Sequence, residues 1–405
     1  MLPMISSFNK KSRLHTSRQG SLAIYLAVAA LVIACCAVAA VLYADAPRSG
    51  PDRASHPAVK IAWQRPFSGL LSAAFSPTTE CFCTVSSGHA VSCYTFAGDT
   101  IYSAAVPNAT RAVVAPDGSF TLAFSHKSPV DTAVTILDRW GAVHWRKILT
   151  GAVWCADSLR SEDGARFVVG TGAGWVYVFT VEKNVKRYKR WRADGAVVSI
   201  VMSPDGEHLT FGTWQKSTIG HADLSGKIKW QMDADSASLQ YVEPLHSPDR
   251  LLVRSVPNRA DADGAFFVMD LNGNLIWQGT VNALKKTRVL ASPDGRYVCL
   301  GYQEQIEHKG KSLSEPHAVL YNASGDRLWD RGSLLFPAEP VVVTSAGYVL
   351  LASARNTLFT VSPAGEIKQS AALPAGVKRM VVARNGTKAL IHCEDDSLCM
   401  LKILQ

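Results

Sequence analysis

The residues of this chain that could do chemistry are few, and their spacing rarely favours it. Asp261-Ala262-Asp263-Gly264 puts two carboxylates at calcium-loop spacing, but without a third acidic position or a downstream glutamate the stretch reads as a solvated hairpin tip. His308 and His317 stand nine apart in an insertion that also holds Glu304, Glu307 and Glu315, too loose a donor set to specify zinc. No Gly-x-Ser-x-Gly, His-Glu-x-x-His or phosphate loop occurs. Catalysis, a cofactor and a metal are therefore not expected. Of nine cysteines, Cys35 and Cys36 lie in an apolar run, and the other seven cannot all pair within one chain. Cys83 with Cys93, and Cys393 with Cys399, each flank a short turn and are candidate disulfides, with buried free thiols as the alternative.

Binding groups are easier to find. Trp175, Trp214 and Tyr302, with Arg259 and Arg355, sit at or beside connecting loops, and aromatics with arginine are the usual anchors of a protein interface. Lys183, Lys186, Arg187, Lys189, Arg190 and Arg192 place six basic residues within ten positions. Such charge guards an exposed strand edge against aggregation, or docks on anionic lipid headgroups or an acidic partner.

These residues hang on a repeat. Asp223-Leu-Ser-Gly226-Lys-Ile-Lys-Trp230 contains a turn glycine followed four residues on by tryptophan, and Gly141 to Trp145, Gly273 to Trp277 and Gly325 to Trp329 repeat it. Weaker copies are Gly98 to Tyr102, Asn184 to Tyr188 and Gly365 to Gln369, and successive copies are 40 to 52 residues apart. A period in the forties built of strand-like segments predicts a closed array such as a propeller. A second mark keeps the same order within the repeats: Ala115-Pro-Asp-Gly118, Ser161-Glu-Asp-Gly164, Ser203-Pro-Asp-Gly206, Ser292-Pro-Asp-Gly295 and Ala383-Arg-Asn-Gly386 are turns that preset a positive backbone angle at glycine.

Each unit parses into four strands, the inner one a short apolar run such as Ala196 to Met202. Inner strands start near Leu70, Arg111, Val153, Ala196, Leu239, Lys286, Glu339 and Val377. The expected fold is an all-β, eight-bladed β-propeller, or seven blades if the poorly patterned unit Leu70 to Val106 is set aside. Its last unit lacks an outer strand, and the orphan strand Val59 to Trp63 supplies it, closing the ring with the two ends of the chain. On such a ring the long insertions His126 to Asp131, Pro257 to Gly264 and Gln303 to Pro316 share one face, opposite the glycine turns. That loop face is the expected partner surface.

In front of the ring (58–405) the sequence divides into a basic tail (1–21), an apolar segment (22–44) and a polar tether (45–57). Leu22 to Ala44 carries no charge over 23 residues, long enough to span a bilayer as a helix. The basic flank predicts a cytoplasmic N-terminus and a propeller on the exported side, periplasmic or extracellular. Val32-Ile-Ala-Cys35 as a lipobox and Ala44-Asp-Ala46 as a cleavage site are the competing readings, and all three export the ring. Four of the net nine positive charges come from Lys10, Lys11, Arg13 and Arg18, so the ring is only mildly basic and nucleic acid is not an expected partner. Hydrophobic residues at 47% against 19% charged exclude a disordered chain.

The Ser-Pro-Asp-Gly turns resemble WD40-like repeats of bacterial exported proteins, and a glycine four residues before tryptophan on the outer strand is similar to the PQQ-like, or quinoprotein-like, repeat. The resemblance covers residues 59 to 405. In overall plan it is similar to the propeller lipoproteins of outer-membrane protein assembly, and it implies a scaffold for envelope or membrane proteins. Quinone-dependent dehydrogenases of the same family carry an adjacent cysteine pair beside the cofactor, whereas the adjacent pair here, Cys35-Cys36, lies in the apolar run. A ligand-binding sensor or enzyme using the central channel is the remaining alternative.

Overall fold

The computed structural model describes residues 58–404 apart from short segments at 77–80, 127, 129, 162–163, 183–185, 204, 215, 217, 234–236, 245–249, 258–263, 282–287, 293, 309–310, 333–337, 354–355 and 384–385. The predicted membrane segment Leu22 to Ala44 and the tether lie outside them. Thirty-two strands form eight four-stranded antiparallel sheets. Strand β1 (Ala58–Pro66) stands apart from its chain neighbours. Blade 1 holds β2 to β5 (Leu70–Phe75, Cys81–Ser86, Ala90–Thr95, Thr100–Ala105) and blade 2 holds β6 to β9 (Arg111–Val114, Phe120–Phe124, Thr132–Asp138, Val143–Leu149). Blade 3 holds β10 to β13 (Val153–Ser161, Gly164–Thr171, Trp175–Glu182, Lys186–Arg192) and blade 4 holds β14 to β17 (Ala196–Met202, His208–Trp214, Thr218–Asp223, Ile228–Asp233). Blade 5 holds β18 to β21 (Ala237–Pro244, Arg250–Pro257, Gly264–Asp270, Leu275–Val281) and blade 6 holds β22 to β25 (Arg288–Ala291, Tyr297–His308, Lys311–Asn322, Arg327–Gly332). Blade 7 holds β26 to β29 (Ala338–Val343, Val349–Ser353, Thr357–Val361, Ile367–Ala372) and blade 8 holds β30 to β32 (Val377–Val382, Lys388–Cys393, Ser397–Leu404).

Blade 8 is completed by β1, which pairs antiparallel with β32 from Ala58 opposite Leu404 to Pro66 opposite Ser397. The eight-blade count and the closure by the two chain ends both hold.

The repeated glycine and aromatic are two halves of one contact between successive blades. The ring of Tyr102 on blade 1 lies so close to Gly141 of blade 2 that a Cβ there would stand 2.6 Å from it. Trp230 meets Gly273, Trp277 meets Gly325, Trp329 meets Gly365 and Trp63 meets Gly98 in the same way. The indole nitrogens of Trp63, Trp230 and Trp329 donate to the carbonyls of Phe96, Leu271 and Ser362 just before those glycines. Glycine is required here because φ is positive, +84° at Gly141, and because the docked ring occupies the place of a side chain. Blade 7 carries Gln369 at this position. Its neighbour, blade 8, has no third-to-outer turn to dock on, since its outer strand comes from the other end of the chain.

Blade 3 departs from the pattern. In blades 2, 4, 5 and 6 a bulge beside the turn shifts the register by one residue before the tryptophan, but β12 and β13 pair without interruption from Trp175 opposite Arg192 to Val181 opposite Lys186. Without the bulge Tyr188 stays on the face of Phe179, 6.1 Å from its ring, turned to Trp145 of blade 2. The aromatic that docks on Gly226 of blade 4 is Trp191, not Tyr188.

Hydrogen bonds tie blades together nearer the axis. Ser158 Oγ donates to the Val114 carbonyl at 2.7 Å, and Asp157 accepts from the Met202 amide at 2.9 Å. In blade 4, His221 is buried between the rings of His208 and Trp230, 5.4 and 5.5 Å away, with Nδ1 2.9 Å from Thr210 Oγ1. Burial, then the charge of His208 and Lys229, holds its pKa down to about 4 from 6.5. Below about pH 6.5 the unfolded chain binds a proton that the folded chain refuses, so stability falls as pH drops from 6.5 through 4. The loss attributable to His221 between pH 7 and pH 5 is about 2 kcal/mol, and His221→Phe should remove that part of the slope in urea titrations run at both pH values.

All seven cysteines of the propeller are free thiols. Cys83 stands directly opposite Cys93 across β3 and β4, but the Cys93 thiol turns to Cys81 on the same face. Cys393 and Cys399 hydrogen-bond as thiols. Neither proposed disulfide is formed, and burial pushes the Cys83 thiol upward.

Candidate functional site at the loop face of blades 3 and 4

Residues 172–173 and 192–196 line a groove of about 550 Å³ where blade 3 passes to blade 4. Its floor is backbone. Gly174 and Gly195 have φ of +82° and +140°, a Cβ on Gly174 would stand 2.9 Å from the Gly195 carbonyl oxygen, and one on Gly195 would stand 2.9 Å from that of Trp214. Three stretches of main chain thus approach more closely than side chains would allow. Main-chain bonds hold this floor in place, the amides of Gly172, Gly174 and Ala193 donating to the carbonyls of Ala152, Thr171 and Gly174.

Aromatic and charged side chains stand around it. Trp214, at the end of β15, is 44% exposed, and its ring centroid is 5.7 Å from that of Trp154. Trp154 rests on Gly172, where a Cβ would meet the indole at 2.8 Å. It is the residue skipped by the register shift between Val153 and Cys155, a bulge that recurs at Leu71, Val198, Gln240, Val341 and Lys378 of other inner strands. A bulge re-aims one side chain out of the ladder, and here that side chain is the aromatic one. Sequence reasoning passed over Trp154 because Val153 to Ser161 reads as a buried inner strand. Lys216 Nζ lies 2.5 Å from Asp194 Oδ2, an exposed pair at the groove's edge.

Trp175 is half-buried under two guanidinium groups of the neighbouring strand, Arg190 at 4.6 Å and Arg192 at 6.0 Å from its ring. The structure therefore brings Trp175 and Trp214 to the loop-face ends of adjacent blades. Tyr302 is elsewhere, on blade 6, stacked on His317 at 5.1 Å and packed into the core shared with blade 5. Packing accounts for it. Arg259, Arg355 and Lys183 lie outside the described residues, as do Asp261 and Asp263. Lys186, Arg187, Lys189, Arg190 and Arg192 are all exposed on β13.

The stretch Gln303 to Pro316 is not an irregular insertion. Strands β23 and β24 continue in unbroken register from Tyr302 opposite His317 to His308 opposite Lys311, so a two-stranded ribbon of about 20 Å extends from blade 6. Among the described residues its edges have no partner strand in this sheet, since β25 pairs only as far as His317.

On the inner strands, Arg111 of β6 has its pKa lowered by burial and by the nearby charge of Arg379 of β30, so two cations share this part of the ring's interior. The buried carboxylate Asp157 holds the Met202 amide of the next blade.

No protein-family model and no curated protein matches the sequence. Solved structures do match in shape. The Dos1 propeller aligns with a TM-score of 0.64 at 10% identity, over 85% of this chain and 95% of its own. BamB from Moraxella catarrhalis aligns with a TM-score of 0.58 at 16% identity, over 85% and 98%. A chain of hydrazine synthase from Kuenenia stuttgartiensis aligns at 0.52 and 13% identity, over 73% and 96%. The chain shares the propeller fold with these proteins, including the BamB-like plan of eight blades. At such identities the likeness concerns the fold alone.

Proposed function

We propose that the chain is a non-catalytic protein-interaction scaffold of the cell envelope, anchored in a membrane by Leu22 to Ala44 with its propeller on the exported side. The observation that carries the reading is the backbone-floored groove between blades 3 and 4, edged by Trp154 and exposed Trp214. An extended segment of an envelope protein would lie along it and cover the indoles. The engagement of Asp157 in an inter-blade bond supports a structural role for that buried carboxylate over a catalytic one.

The test is photo-crosslinking in native membranes from a probe at position 216, followed by mass spectrometry. Wild type should capture an envelope protein, and Trp214→Ala should reduce capture by roughly 30-fold, the weight of one aromatic anchor of about 2 kcal/mol. Trp214 is partly exposed, so the variant should melt with wild type. Equal capture by both proteins would remove the groove from the binding site.

A further inference from the structure

The repeat provides an internal control for which surface residues the fold needs. Six turns joining third to outer strands close with the same bond, from the glycine amide to the carbonyl three residues back, at Gly98, Gly141, Gly226, Gly273, Gly325 and Gly365. The residue just before the glycine is Ala97, Ser225, Asn272, Ser324 or Ala364 in five of them. In blade 2 it is Trp140. The turn does not need it, yet Trp140 is 74% exposed, the most exposed large hydrophobic side chain of the described residues. It is held out on a rigid tip, since Asp138 Oδ1 accepts from the amides of Trp140 and Ala142, both at 2.9 Å. The Arg139 guanidinium lies 5.6 Å from its ring.

The neighbouring outer strand supplies charge. Five of the seven residues of β13 are basic and exposed, against Lys229 alone on β17 and none on β21. Blades 2 and 3 form one continuous rim. Lys186 Nζ donates to the His144 carbonyl on β9, and Lys147 Nζ lies 4.5 Å from the Tyr188 ring on β13.

The position of the N-terminal end adds direction. In the other blades the outer strand begins at a third-to-outer turn, and β1 begins at the corresponding end of blade 8, with Ala58 opposite Leu404. The chain preceding Ala58 thus joins the ring on the face that carries Trp140. This direction rests on the membrane anchor proposed above, from which thirteen tether residues, at most about 45 Å when extended, lead into the ring.

We propose that the rim of blades 2 and 3 docks on an anionic phospholipid bilayer, with Trp140 seated among the headgroups and the β13 cations against lipid phosphates. A single exposed indole flanked by arginine suits the headgroup region, where an amphipathic ring is stable. A row of cations along an open strand edge matches a surface of distributed negative charge. An acidic protein would be favoured by a concave pocket around the indole, and Trp140 stands on a convex turn.

The test uses the full chain in bilayers whose lipids carry brominated acyl chains, with tryptophan emission compared between wild type and Trp140→Ser. In bilayers rich in phosphatidylglycerol, wild type should be quenched more than Trp140→Ser. That difference should vanish in pure phosphatidylcholine, at high salt and in an Arg187→Glu, Lys189→Glu variant, while melting temperatures stay together because all three positions are exposed. Equal quenching of wild type and Trp140→Ser overturns the proposal, and so does a difference that persists in phosphatidylcholine. A shift of Trp140 emission caused by soluble polyglutamate, without lipid quenching, also overturns it and assigns the rim to an acidic protein. The groove of blades 3 and 4 is scored by crosslinking, so either reading can fail alone.

Discussion

Trp63→Ala should destabilise the propeller by about 3–5 kcal/mol, the range for deleting a large aromatic from a core. Trp63 lies on β1, which supplies the outer strand of blade 8, and its ring stacks on Phe82 of blade 1 with centroids 6.0 Å apart. Its indole nitrogen donates to the Phe96 carbonyl at 2.7 Å, and its ring lies over Gly98. Arg65, two residues on, stacks between Trp63 and Tyr94 and donates to the Gly98 carbonyl at 2.7 Å. The chain runs from β1 straight into β2 of blade 1, as it does at the other junctions, so the break in the ring lies inside blade 8, where β1 is held to the last three strands only by pairing with β32. Trp277→Ala is the control, since it removes the same kind of contact, to Gly325 and Phe266, from an outer strand that the chain also links to the rest of its own blade. Urea unfolding should show the larger loss for Trp63→Ala, and a loss no greater than that of Trp277→Ala would mean the seam carries no special burden.

The legibility of the fold in the sequence follows from the same contact. Each glycine turn and each outer-strand aromatic must persist together, because one fills the space the other leaves empty, and the pair therefore recurs as a spacing. Gln369 breaks the pattern where blade 8 offers no turn, which is the closure read from the chain ends. The shift from Tyr188 to Trp191 could not be read, because it depends on a missing bulge and not on residue type. The ribbon at 303–316 was hidden for a different reason: Gln, Glu, Lys and Ser give it the composition of a loop, while backbone pairing makes it a strand pair. At the groove, Trp214 was visible as an aromatic beside a loop. Trp154 was not, since a bulge turns it out of a strand that reads as core, and the glycine floor is apparent only once Gly174 and Gly195 are set against the backbone they touch.

Substituting the turn glycines tests the docking contact from its other side. Gly141→Ala should cost about 2–5 kcal/mol, because two penalties act together. At φ of +84° an L residue is strained by about 1–2 kcal/mol, and the new methyl would stand 2.6 Å from Tyr102 Cδ2, an overpacking that typically costs about 1–3 kcal/mol. Tyr102 has little room to yield, being buried with its hydroxyl donating to Thr121 Oγ1 at 2.7 Å. Gly88, in a turn of blade 1, separates these causes from loss of glycine as such. Its φ is not positive and a Cβ there would meet only Ser86 Oγ at 3.8 Å, so Gly88→Ala should leave stability within about 0.5 kcal/mol of wild type. Denaturant midpoints of the two variants decide the matter. If Gly141→Ala were as mild as Gly88→Ala, Tyr102 would have to move without cost, and the glycine–aromatic spacing that organises the chain would reflect turn preference alone and no contact between blades.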